Sequence, residues 1–160
     1  MHKPGIMNEE KKKFLQEDLI PLLKKLDASA KGRWGVMGPQ QMVGHFADAV
    51  KNASGKLILP AVNTSERLEK SREFLMTEKQ FKENTKNPLI PETPFPLRKA
   101  NINAAIEKLQ DELNCFFQVF ENDPGLKTAN PIFGELDHAM NVQLLHKHAL
   151  HHLRQFGLVE

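Results

Sequence analysis

Four of the seven histidines of this chain fall within seven positions near its carboxyl end, in the run Leu-His-Lys-His-Ala-Leu-His-His-Leu-Arg-Gln-Phe-Gly. On a helix, side chains four positions apart lie on one face, so His148 and His152 project side by side. Two imidazoles on one face supply half of a divalent-metal site. The best third ligand in the sequence is His45. The neighbouring His146 and His151 fall opposite this face and at its flank.

His45 lies in a segment that reads as the second helix, with Pro39 in its first turn, where proline is tolerated. An apolar stripe runs beside it, formed by Met42, Phe46, Ala49 and Ala53. Two interpretations stay open: a core histidine satisfied by a hydrogen bond, or a metal ligand. Asp48 follows one turn later. Its carboxylate could accept the ring proton of a ligand or act as a base, although an exposed surface aspartate is the commoner outcome.

The last helix, predicted to begin near Glu135 or Asp137 and to end at Gly157, carries two more polar candidates. On its helical wheel, Gln155 and Asn141 share the stripe of the inward histidine pair. We therefore take Asp48 and Gln155 as candidates for a catalytic role, with Asn141 as a further polar neighbour. The spacing alone dictates no proton-transfer residue.

The remaining elements that must position these side chains are also helical. The pattern predicts a first helix over residues 8–27 with a kink or a restart at Pro21, a less regular helix over 64–79, and a clear one over 101–121. Residues 87–96 hold four prolines and predict an extended connector that packs along the body. Without an alternating strand pattern, the sequence predicts an all-α four-helix bundle with this proline-rich connector between its second and third main helices.

Composition narrows the class of protein. A length of 160 residues predicts one domain, residues 1–160, and 22 basic against 20 acidic residues give no argument for a nucleic-acid partner. The absence of a long apolar run argues against a membrane partner. The single cysteine, Cys115, favours a reducing compartment, and it has no histidine nearby in sequence that would activate it as a nucleophile. We expect a cytoplasmic protein.

Three motifs carry a resemblance to a known superfamily. They are the run from Trp34 to His45 (Trp-Gly-Val-Met-Gly-Pro-Gln-Gln-Met-Val-Gly-His), the Pro-Ile-Phe-Gly-Glu-Leu turn at 131–136, and His-Ala-Leu-His-His-Leu-Arg-Gln-Phe-Gly at 148–157. Together they resemble the DinB/YfiT-like superfamily, in particular a branch known only as a domain of unknown function. The resemblance spans almost the whole chain and is poor over residues 56–99.

This resemblance implies a four-helix bundle in which His45, His148 and His152 bind one divalent metal ion. Better-studied members resemble metal-dependent hydrolases or transferases that act on thiol cofactors, and many are dimers. The resemblance therefore implies a small-molecule substrate, a thiol cofactor and a homodimer. Asn130 departs from the branch, whose members often carry a histidine there, and this puts in doubt any role of that position.

Three neutral imidazoles leave Zn²⁺ or Ni²⁺, the two metals we favour, with its full charge and at least one open position. Hydrolysis and thiol transfer are both compatible with such a site. The leading hypothesis is a metal-dependent hydrolase or thiol-transferase-like enzyme. The alternative is a non-catalytic helical binding or stress-response module whose histidines are structural.

Overall fold

The structure is a computed structural model that describes residues 6–83 and 97–160, and these are mostly helical. The elements in chain order are α1 (Glu9–Lys13), a π-helical segment (Phe14–Asp18), α2 (Leu19–Leu23), α3 (Pro39–Ala53), α4 (Ser65–Leu75), α5 (Ile102–Asn122), β1 (Thr128–Asn130), β2 (Gly134–Leu136) and α6 (His138–Gln155). The predicted helical class is confirmed. The predicted connector at 87–96 falls outside the described residues.

The first helix contains a π-helical segment, Phe14–Asp18, just before Pro21. The Leu19 N–H bonds to the carbonyl of Phe14, five residues earlier, within the π-helical segment. Pro21 has no N–H to offer to the carbonyl of Glu17, and a π turn just upstream accommodates the missing bond without ending the helix. The helix starts as predicted, because the Asn8 side chain accepts the Lys11 N–H.

The other helices begin close to their predicted starts. Pro39 occupies the first position of α3, and the Gln41 side chain accepts the Gly38 N–H at 2.7 Å. Thr64 caps α4 and Asn101 caps α5 through their side-chain oxygens. Two helix ends fall short of the prediction: α2 stops at Leu23 and not near residue 27, and α4 stops at Leu75 and not near residue 79.

Side chains from α6 bond to the end of α4 and to the turn that follows it. The Gln143 amide donates to the carbonyls of Leu75 and Thr77, and the buried Lys147 ammonium donates to the carbonyls of Thr77 and Lys79. The last carbonyls of a helix have no partner within it, so Gln143 satisfies that of Leu75, and the other bonds satisfy carbonyls of the turn that follows. The turn after α4 is thereby tied to α6.

The core lies where the π-helical segment, α2, α3, α5 and α6 pack together. Its most extensive helix pair is α3 against α5. The apolar stripe predicted for α5 faces this core, as its buried members show: Ala105, Ile106, Leu109, Leu113, Phe116 and Phe120. A second apolar cluster under α4 is formed by Leu75, Phe133, Leu136, Met140 and Leu144. No helix among the described residues is long and apolar enough to cross a membrane.

A small antiparallel hairpin is the element that the sequence does not predict. Strands β1 and β2 pair with Thr128 opposite Leu136 and Asn130 opposite Gly134. Three-residue strands are too short to show an alternating pattern. The Asn130 side chain accepts the N–H groups of Ile132 and Phe133 at 2.9 and 3.0 Å, so this residue builds the turn of the hairpin.

Candidate metal centre

Three histidine side chains from two helices converge on one point. His45 comes from α3, and His148 and His152 come from successive turns of α6. The Nε2 atoms of His45 and His148 are 3.3 Å apart, and those of His148 and His152 are 2.8 Å apart. One ring nitrogen of each lies within 4.8 Å of the others, and the three residues could hold a metal ion.

The separations match those of ligands that share an ion. Two nitrogens bound to one zinc at ~2.0–2.1 Å lie about 2.9 Å apart at a right angle and about 3.4 Å apart at the tetrahedral angle. The observed 2.8 and 3.3 Å fall close to these two values. The residues present therefore fit a divalent ion, and with three protein ligands they leave a position for a further ligand.

The three imidazoles are uncharged at neutral pH. Burial lowers the pKa of His45 to about 4 and outweighs the nearby Asp48 carboxylate, which acts in the opposite direction. Burial lowers the pKa of His152 to about 3, and burial again holds the pKa of His148 well below its usual range. The close approach of the rings adds to this lowering at His148 and His152. Neutral rings carry the lone pairs that a metal ion requires.

The hydrogen bonds of Gln155 determine which nitrogen of His152 carries the proton. The carbonyl of Trp34 can only accept, so the group facing it at 2.9 Å is the Gln155 amide nitrogen. The amide oxygen therefore faces His152 Nδ1 at 2.8 Å and accepts its proton. Neutral His152 then presents a lone pair on Nε2, the atom that points toward His148.

Aromatic rings surround this centre. Phe46 packs edge-on against His148 at 5.2 Å between ring centroids, and Phe81 lies 6.3 Å from the same ring. Phe81 and Trp34 also enclose His151, at 6.0 and 5.2 Å. His152 is only 5% exposed, whereas His45 and His148 are partly buried.

The other candidates lie in different surroundings. Asp48 pairs with the Arg98 guanidinium at 2.9 and 3.3 Å and lines a cleft of about 130 Å³ between α3 and the start of α5. The negative charge of Asp48 acts to raise the pKa of His45, but its carboxylate accepts hydrogen bonds from Arg98. Of the two histidines set aside in the sequence, His146 packs on Phe14, outside the centre. Gln155 is the predicted polar neighbour that the structure brings into contact with the triad.

Asn141, on α6, forms its hydrogen bonds with the hairpin and is not part of the histidine triad. Its amide nitrogen lies within 3.2 Å of the Thr128 hydroxyl and of the carbonyls of Leu136 and Asp137, and the residue is 1% exposed. The Thr128 hydroxyl in turn donates to the carbonyl of Ala53 at the end of α3. This network ties the start of α6 to the hairpin and to α3.

Replacing Asn141 by leucine should lower the free energy of unfolding by about 1–3 kcal/mol, because buried carbonyls lose their donor. Denaturant unfolding measures this loss. The same change at the exposed Asn114 should stay within about 0.5 kcal/mol. Folded Asn141→Leu protein should bind zinc like the parent. A loss of zinc affinity in this variant would instead place Asn141 in the site.

The sequence did not reveal two groups at the centre. Phe81 follows the turn after α4, and its approach to His148 depends on the contacts that fasten this turn to α6. The Trp34 carbonyl is a backbone atom, which no spacing rule of side chains identifies, although Trp34 opens one of the three motifs. A comparison with protein-family models, curated proteins and solved structures found no match to this chain.

Proposed function

We propose that this chain is a DinB/YfiT-like four-helix bundle whose three histidines bind one Zn²⁺ or Ni²⁺ ion for hydrolysis or thiol transfer on a small molecule. The observation that carries the proposal is the convergence of three neutral ring nitrogens, from His45, His148 and His152, at the distances of shared ligands. A Lewis-acidic ion held there would lower the pKa of a water or thiol that it binds.

The residues around the triad support such a role. Gln155 holds the proton of His152 on Nδ1, the ring nitrogen that faces away from His148, as hydrogen-bond partners of metal-binding histidines commonly do. Phe46 and Phe81 place apolar rings beside His148, and apolar surroundings strengthen electrostatic interactions within a site. A thiol cofactor and a homodimer stay predictions from the resemblance.

Calorimetric titration of metal-free protein with zinc and nickel sulfate tests the binding step. We expect one ion per chain. The loaded protein is then assayed for hydrolysis of activated esters and amides and for thiol transfer to electrophiles. Turnover that disappears on chelation and returns with the ion would support the enzyme.

One observation favours the non-catalytic alternative. The 2.8 Å contact between His148 and His152 has the length of a direct hydrogen bond, in which one ring donates and the other accepts. In that case the rings would join two turns of α6 without an ion. A parent protein that takes up neither zinc nor nickel would support this structural role and contradict the metal-dependent enzyme.

A further inference from the structure

We propose that the loop at residues 32–35 is a positioning element for the metal ligand His152, so that docking of this loop sets the affinity of the site. The inference rests on the proposed function. It assigns a role to a segment that touches none of the three ligating nitrogens and acts through Gln155.

The loop attaches to the end of α6 through main-chain and side-chain bonds. The Arg33 N–H donates to the carbonyl of Gln155 at 2.8 Å, which satisfies a carbonyl in the last turn of the helix. The Gln155 side chain donates to the Trp34 carbonyl at 2.9 Å and accepts from His152 at 2.8 Å. Gln155 is 2% exposed. One glutamine therefore joins the loop to the ligand by two consecutive hydrogen bonds.

Two glycines let the loop approach this glutamine. A Cβ atom on Gly32 would lie 2.9 Å from the Trp34 carbonyl oxygen and 3.1 Å from the Gln155 side chain. A Cβ atom on Gly35 would lie 3.0 Å from the Gln155 amide nitrogen, and Gly35 has a φ of +78°, which side-chain-bearing residues rarely adopt. A methyl group at either position would press on the amide that orients His152.

The loop and the ligand should therefore stabilise each other. With the Trp34 carbonyl in place, the Gln155 oxygen can face only His152, and the ring keeps its lone pair on Nε2. With the loop displaced, Gln155 loses that restraint and the ring can adopt the other tautomer or rotate. Coupling of two binding events is reciprocal, so a metal ion on Nε2 should also favour the docked loop.

The test compares Gly35→Ala with Gly55→Ala. Gly55 has a similar φ of +86°, and its Cβ atom would lie 3.4 Å from Thr128, so this control carries matched backbone strain outside the metal centre. Zinc affinity is measured by competition with a chelator, and circular dichroism verifies folding. We expect Gly35→Ala to bind zinc about 10–100-fold more weakly, the range for loss of a second-sphere partner. Gly55→Ala should bind like the parent.

A second pair of variants covers the case in which Gly35→Ala does not fold. Gln155→Glu keeps an acceptor for His152 but loses the donor to Trp34, whereas Gln155→Met loses both. We expect zinc affinity to fall in the order parent, Gln155→Glu, Gln155→Met. Trp34 is the only tryptophan, so its fluorescence reports the loop directly. Zinc should change this emission in the parent and less in Gln155→Glu.

The outcomes separate the two proposals. A parent that binds no zinc overturns the metal site and this inference together. A parent that binds zinc, with Gly35→Ala and Gln155→Glu of equal affinity, overturns the positioning role alone. Equal weakening in Gly35→Ala and Gly55→Ala would also overturn it, because the effect would then be general strain.

Discussion

His148→Ala should weaken zinc binding by more than about 100-fold. His148 is the central histidine of the triad, since its Nε2 faces both His45 and His152. Loss of a second-sphere partner costs about 10–100-fold in metal affinity, and loss of a direct ligand should exceed that range. Two ligands from different helices would remain. Chelator competition and elemental analysis of the purified variant measure the effect.

His146→Ala is the matched control on the same helix. His146 lies two residues away and packs edge-on against Phe14 at 5.2 Å, outside the triad. This variant should keep one zinc per chain. Equal zinc binding by the parent and His148→Ala would refute the three-histidine assignment. Equal losses of zinc affinity in His148→Ala and His146→Ala would show that zinc binding does not distinguish the triad from the other histidines of α6.

Acid should destabilise the metal-free protein strongly between pH 6.5 and about 4. The triad histidines bind protons in the unfolded chain near pH 6.5, whereas in the folded chain the pKa is about 4 for His45 and about 3 for His152. The unfolded state therefore binds more protons in this window, and folding stability falls as the pH drops. Above pH 6.5 these groups are neutral in both states and the effect disappears.

The free energy of unfolding should depend steeply on pH. Each such histidine contributes about 1.4 kcal/mol per pH unit, and the three together up to about 4, compared with about 5–15 kcal/mol for the unfolding of a whole domain. Urea unfolding at a series of pH values measures this slope. His45→Asn should remove one of the three triad contributions, whereas His146, whose pKa burial also lowers to about 4, adds a further contribution in the same direction. A stability that stays constant from pH 7 to 4.5 would contradict the lowered pKa values.

Zinc should oppose this acid unfolding. A metal ion occupies the same lone pairs that protons take up, and it binds the folded chain better than the unfolded one. Because the folded-state pKa values of His45 and His152 lie near 4 and 3, proton competition should leave the affinity nearly constant down to about pH 5. A loss of zinc centred on pH 6.5 would indicate solvated histidines.

Local periodicity accounts for what could be predicted. The stripe of α5, the caps at Asn8 and Asn101, and the shared face of His148 and His152 all follow from spacing within one helix. The structure also brings His45 to this pair, as the position beside an apolar stripe indicated. Such patterns are visible in sequence because neighbours three or four residues apart determine them.

Contacts between distant segments account for the features that could not be predicted from the sequence. Gln143 and Lys147 bond to the end of α4 and to the turn after it from more than sixty residues away, and no local spacing shows these contacts. Asp48 pairs with Arg98, which lies 50 positions later in the sequence, and a helical wheel relates only residues of one helix. The π-helical widening before Pro21 depends on how one missing N–H is accommodated, and a kink would have been equally compatible with the sequence.

The separation of the ligands along the chain has a consequence for assembly. His45 and His148 are 103 positions apart, and only the packing of α3 beside α6 unites them. An unfolded chain offers a metal only isolated histidines and one pair spaced by four, so the complete site arises late in folding. Metal capture should therefore follow collapse. An ion bound there would close a large loop and act as a cross-link against reopening.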